Sequence, residues 1–180
     1  IFLNCGVLNH PLKNNSQDFG YCLGVLHHIS DTKLGLQNCV DKLKKGAPFL
    51  LYLYYKFDNK PLWFKFIWRC VDVIRKLICR FPFKLKLVIT RLIAIVIYLP
   101  LARLSFFLEL LGMNVSNIPL SDYRKKTFYF MCTDALDRFG TKLEKRFTKA
   151  EISSMMIKSG LSEIKFSNST PFWVAIGFKK

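Results

Sequence analysis

Apolar positions recur along this chain in two rhythms, one of short continuous runs and one of helical spacing. Phe19 to Leu23 and Phe49 to Tyr55 are nearly unbroken apolar and aromatic runs, the pattern of strands covered on both faces. Between them Leu36, Cys39, Val40 and Leu43 fall at i, i+3, i+4 and i+7, which predicts a helix with one face to lay on a sheet. Asp31 or Ser30 can cap its start, Lys42, Lys44 and Lys45 suit its C-terminal end, and Gly46 stops it. Strand, helix and strand joined by the short connection 46–48 make a parallel crossover unit. Upstream, Asn4 to Ser16 is turn-forming, while Ile1 to Leu3 reads as the tail of a strand. Opening mid-strand on Ile1 sets the expectation that an N-terminal portion precedes this sequence.

Pro61 opens a different region. Trp63, Ile67, Cys70, Val71, Ile74 and Ile78 share one helical face and Lys65, Arg69, Lys76 and Arg80 the other, so 62–80 is a basic amphipathic helix that Pro82 ends. A second helix, 84–98, is apolar nearly all round; Pro100 kinks or ends it, and 101–111 continues to a stop at Gly112. The uncharged run between Arg91 and Arg103 is 11 residues. That is short of the roughly 20 a spanning helix needs, which favours embedding in an interface or burial under a lid.

Residues 113–123 are polar and broken by Pro119, a loop. Residues 125–133 read as an extended or irregular segment, and 134–147 is charged and interrupted by Gly140. Thr148-Lys149-Ala150-Glu151 spells a capping box, Ile152, Met155 and Met156 give the following helix its inner face, and Gly160 ends it. Two strands, 161–166 and 172–178, close the chain. The sum is an α/β architecture.

Composition narrows this. Apolar residues make up 51% of 180, enough for one core. The net charge of +16 is uneven: 7 basic against 4 acidic residues in 1–60, 9 against 2 in 61–112 and 12 against 6 in 113–180. The most one-sided block is also the most hydrophobic, which points to a membrane surface or an acidic partner; no nucleic-acid recognition motif accompanies the charge. Six cysteines without a CxxC pair suit a reducing compartment, and no cleavable signal opens the chain, so a cytoplasmic protein, peripheral at the membrane if the basic helices touch it, is expected.

The run DFGYCLGVLHHISDT together with KLKKGAPFLLYLYY resembles the class I, Rossmann-like S-adenosylmethionine-dependent methyltransferases, of the type 11/12 kind, in their fourth strand, following helix and fifth strand. The capped helix and final hairpin, with WVAIGFKK, fit the last pieces of a seven-stranded sheet whose seventh strand is antiparallel. The block DALDRFGTKLEKRFTKAEI is similar to a subgroup signature. The resemblance divides the chain into a partial cofactor-binding core at 1–55, a helical insertion after the fifth strand at 56–147, of the sort that forms a substrate lid, and a C-terminal completion of the core at 148–180.

That likeness implies S-adenosyl-L-methionine as cofactor. It implies Cys5, Gly6 and Val7 near the adenine, although Gly6 stands where the family has an acid five residues before Pro11, leaving the Val7 amide to face the ring. It implies Leu23, Gly24 and Val25 beside the sulfonium. No GxGxG loop and no acid closing a second strand occur in the sequence, so these are expected upstream, and the piece alone should be a poor catalyst.

His27 and His28 are adjacent, so one of them can face a pocket; His28 is the candidate general base, with a structural hydrogen bond as its alternative. Methyl transfer is an in-line displacement governed mostly by positioning, so a base is optional. Asp134 and Asp137 would share a helical face as acid and base, or make a surface ion pair with Arg138. Tyr52, Tyr54 and Tyr55 line an acceptor pocket or pack in the core. His10 is the only further histidine and completes no metal set. The expected acceptor is a small molecule or a lipid-linked one. The rival reading is a non-enzymatic peripheral membrane-binding protein that works through its basic amphipathic helices.

Overall fold

The computed structural model describes residues 3–116, 118–169 and 172–180, so most of the strand tail expected at 1–3 lies outside the described residues. The chain divides into two compact units, 1–60 with 143–180, and 61–142.

The first unit is built on a four-stranded sheet. Strand β1, Gly20–Leu23, leads through a single turn at Leu26–His28 into helix α1, Thr32–Asp41, and then strand β2, Pro48–Tyr52. Of the two candidate caps Asp31 is the one used: its Oδ1 accepts the Leu34 amide proton at 3.0 Å. Strands β1 and β2 pair in parallel, Gly20 against Phe49 through Leu23 against Tyr52. Close packing fixes that register, since a Cβ on Gly20 would lie 2.7 Å from the Phe49 ring.

The C-terminal helix, Lys149–Lys158, and the strands Leu161–Phe166 and Val174–Lys179 complete this unit; in chain order they are α6, β3 and β4. The sheet order is β1-β2-β4-β3, with β4 antiparallel to both neighbours. Three strands therefore run one way, and only β4, wedged between β2 and β3, runs the other. This is the mixed sheet that the methyltransferase resemblance implies, in its last four strands. Leu36, Val40, Leu51, Ile152, Met156 and Leu161 fill the core between sheet and helices. Tyr54 and Tyr55 extend β2 without belonging to it: Phe147 donates its amide to the Tyr54 carbonyl at 2.9 Å and accepts that of Lys56 at 2.9 Å. Segment 143–147 thus runs alongside the end of β2.

The second unit is helical: α2 at Leu62–Ile78, α3 at Phe83–Ile93, α4 at Leu99–Leu110 and α5 at Phe128–Gly140. The chain does not break at Pro100. A π-helical turn, Ala94–Tyr98, joins α3 to α4, and Leu99 donates to the Ala94 carbonyl five residues back. This wider turn lets the proline, which has no N–H to give, enter at the start of the next helix. Residues 128–133, read from the sequence as extended or irregular, are helical instead. The Thr127 hydroxyl accepts the Phe130 amide and starts the helix, and Met131, Ala135 and Phe139 at fourfold spacing bury one stripe of it. Beneath that stripe lie Ala94, Tyr98, Ala102 and Ile78.

Candidate active site

Strands β1 and β2 end on the same side of the sheet, the side at which open α/β sheets bind ligands. Gly24 follows β1 with φ of +73°, donates its amide to the Tyr52 carbonyl at 3.0 Å, and has nothing within 4 Å of where a Cβ would stand. The left-handed turn suits glycine, and the space above it is open. Leu23 and Val25, either side, are about half exposed at 47% and 51%.

Cys5, Gly6 and Val7 lie in a turn closed by the Asn9 amide on the Gly6 carbonyl, with Cys5 and Gly6 exposed and Val7 partly buried. Helix α1 draws this turn toward the loop after β1. At Gly35 a Cβ would lie 2.9 Å from Leu26 Cδ2, 2.4 Å from Ile29 Cδ1 and 3.7 Å from Val7 Cγ1. Val7 therefore reaches α1 beside Leu26 and Ile29 of the loop that follows β1, and Gly35, which the sequence reading passed over, makes the approach possible.

The paired histidines divide their labour. The His28 Nδ1–H donates to the Leu143 carbonyl at 2.7 Å, which leaves Nε2 of the neutral ring with its lone pair available. His27 is fully buried and stacks on Tyr54 with centroids 3.8 Å apart; its Nδ1 accepts the Tyr54 amide proton at 3.4 Å. Nε2 of His27 must then carry the hydrogen, and it has no protein partner among the described residues. Burial first, then the nearby His28 and Arg146, pushes the His27 imidazole down to about 3, so it stays neutral at ordinary pH. His27 can donate a hydrogen bond; His28 can take a proton.

Arg146 closes this end. Its guanidinium stands 5.3 Å from the Tyr54 ring and 4.9 Å from the Phe57 ring, and it pairs with Glu144 at 2.6 Å, both side chains nearly buried. Glu144 and Arg146 alternate within an extended segment, so both face the same way. That period of two was available in the sequence but hidden by the charge of the surrounding block.

Asp134 and Asp137 belong to the second unit. Asp134 accepts the Tyr98 hydroxyl at 3.0 Å and pairs with Arg138 at 3.3 Å, and Arg138 donates to the Tyr123 hydroxyl at 3.1 Å. The Arg138 partner foreseen for this pair is present, in a half-buried rather than a fully exposed setting. Burial raises both tyrosines above their ordinary range, so they remain hydroxyl donors. Asp137 is exposed on the same helix. Among the described residues no three His, Cys, Asp or Glu side chains gather as a metal site.

No protein-family profile matches the sequence, and no curated protein does. Among solved structures the chain is similar to a SAM-dependent methyltransferase of Thermotoga maritima at 14% identity, over 99% of this chain and 63% of that one, with a TM-score of 0.46. It is similar in the same degree to one of Methanosarcina mazei, at 13% identity over 97% of this chain and 64% of that one, with a TM-score of 0.46. The chain spans less than two thirds of the length of either.

Proposed function

We propose that this protein takes part in methyl transfer from S-adenosyl-L-methionine to a small-molecule or lipid-linked acceptor. The observation that carries the reading is the Gly24 turn: a left-handed, uncrowded glycine at the C-terminal end of the outer parallel strand of a sheet whose only reversed strand is β4. In this reading Leu23 to Val25 stand on one side of such a cofactor, and Val7 is held by α1 beside the loop that follows them. The cofactor, when bound, supplies an electrophilic methyl group. The work left to the chain is to hold an acceptor in line with that group and keep water away, which is positioning above all.

His28 takes the acceptor's proton at Nε2 in this reading, its other nitrogen being fixed on the Leu143 carbonyl. His27, fully buried against Tyr54, holds the turn that carries His28. Asp134 and Asp137 lie in the second unit, where Asp134 is held by Tyr98 and Arg138. Calorimetric titration of the protein with S-adenosylmethionine, paired with transfer of a labelled methyl group to a panel of acceptors, tests the assignment. Saturable heat that Gly24→Val abolishes supports it, and no heat with the folded protein overturns it.

A further inference from the structure

The rod formed by α3, the π turn and α4 runs 28 residues from Phe83 to Leu110, and only 22% of its most apolar stretch is buried. Its two sides are inverted with respect to an ordinary soluble helix. The buried side carries small or hydroxyl-bearing residues, Thr90, Ala94, Tyr98, Ala102 and Ser105. The outward side carries Val88, Leu92, Ile95, Val96 and Phe107, between 48% and 68% exposed. Bulk on the outside and small residues within is the reverse of what burial in water selects. Helix α2 adds Trp63 and Phe66, exposed by 52% and 68%. Patches of this kind mark contact with another phase or another protein.

Charge selects between them. Residues 61–142 hold 14 basic side chains against 5 acidic ones. Three of those acids are already neutralised, Asp72 by Arg75 and Lys76, Glu109 by Arg124 and Lys125, and Asp134 by Arg138. Arg69, Lys84, Arg91 and Arg103 are exposed on the same helices that bear the bulky apolar residues, and Arg80 is exposed in the turn after α2. Lys76, Arg80 and Lys142 also share one open recess, with Cys79 as its remaining wall. An apolar face laced with cations complements anionic lipid headgroups over acyl chains.

We infer that the outward face of the α3–α4 rod, with the aromatic end of α2, seats on an anionic bilayer leaflet, the rod lying in the interface plane. By length and composition the rod could cross a membrane. Its inner face argues for the plane instead: Tyr98, near the middle of the rod, holds Asp134 and through it Arg138. A crossing rod would carry that charged pair to mid-bilayer, where ionised groups are costly. Lying flat, the rod immerses its bulky side and keeps the pair on the opposite one.

The test is co-sedimentation of the 180-residue chain, without any methyl donor, with phosphatidylserine/phosphatidylcholine vesicles and with phosphatidylcholine vesicles alone. Binding to the mixed vesicles that weakens with salt is the expected result. Val88→Asp with Ile95→Asp, at exposed positions, should weaken it about tenfold or more, with helicity by circular dichroism unchanged; Leu92→Asp serves if the pair loses helicity. Arg69→Glu with Arg80→Glu should weaken it as well. No binding to anionic vesicles overturns the inference. So does binding that survives the apolar substitutions but is displaced by inorganic phosphate, which would mean a site for free anions, and so does a stable lipid-free dimer that the same apolar substitutions dissociate. Because no donor is present, failure here leaves the methyl-transfer reading intact, and failure of donor binding leaves this one intact.

Discussion

His27 and Tyr54 are joined twice: their rings stack 3.8 Å apart, and the Tyr54 amide points its proton at Nδ1 of the same imidazole, 3.4 Å away. Burial above all, with His28 and Arg146 nearby, holds His27 neutral in the folded chain, at about 3 against an ordinary 6.5. Above about pH 6.5 neither the folded nor the unfolded chain protonates this ring, and it has no effect. Between about 6.5 and 3 the unfolded chain binds a proton that the folded one refuses, so stability falls as pH falls, by up to about 1.4 kcal/mol per unit from this group. Urea unfolding from pH 7 to 5 should show the loss, and His27→Gln should flatten the slope. Equal slopes for the two proteins would refute it.

Removing the Tyr98 hydroxyl should cost about 0.5–1.5 kcal/mol, since Asp134 keeps Arg138. Asp134→Asn leaves Arg138 half-buried without its carboxylate and should cost more than Tyr98→Phe. Thermal melts of the two variants check that order.

At Gly24 the expected cost of alanine is one of backbone alone, about 1–2 kcal/mol for a left-handed residue, because an added Cβ meets nothing within 4 Å. Gly35→Ala is penalised by packing instead, against Leu26, which is fully buried, and Ile29, whose end can move. Chemical denaturation of both variants should show the two losses adding in the double variant to within about 0.5 kcal/mol if the causes are separate.

The capping box of α6 is complete, with the Glu151 amide on Thr148 Oγ1 at 3.2 Å and the Thr148 amide on Glu151 Oε2 at 2.7 Å. Thr148→Ala should destabilise the protein by about 0.5–2 kcal/mol and Thr148→Ser by much less. Thermal unfolding of the pair checks it, and equal losses would place the stabilisation in the methyl group rather than the hydroxyl.

Under the proposed function His28→Gln should lower turnover by about 100-fold or more while leaving the dissociation constant for S-adenosylmethionine within about twofold. Turnover that survives the substitution assigns His28 to the Leu143 hydrogen bond alone.

Much of the first unit was legible because its signals are local. The runs at 19–23 and 49–55, the stop at Gly46 and the Thr148 box each fix an element within a few residues. Where the sequence misled, the deciding partner was distant. Aromatic and threonine content at 127–133 suits a strand, yet the stripe Met131, Ala135, Phe139 finds its counterpart on Ala94 and Tyr98, and packing prevailed over propensity. Pro100 reads as a break until the π turn before it is known. His27 looked like the lesser of two neighbours because only the Tyr54 stack, 27 residues away, separates its role from that of His28.

The amide of Lys56 and the carbonyl of Phe147 are hydrogen-bonded where the chain leaves the first unit and where it returns. The 82 residues 61–142 are thus inserted between two segments pinned together beside β2, like a drawer on a single pair of runners. A sheet so arranged does not feel how much polypeptide hangs from that point, because widening a loop whose ends are already pinned costs only logarithmically in entropy. The region outside it is free to lengthen, shrink or be exchanged while the strands keep their order.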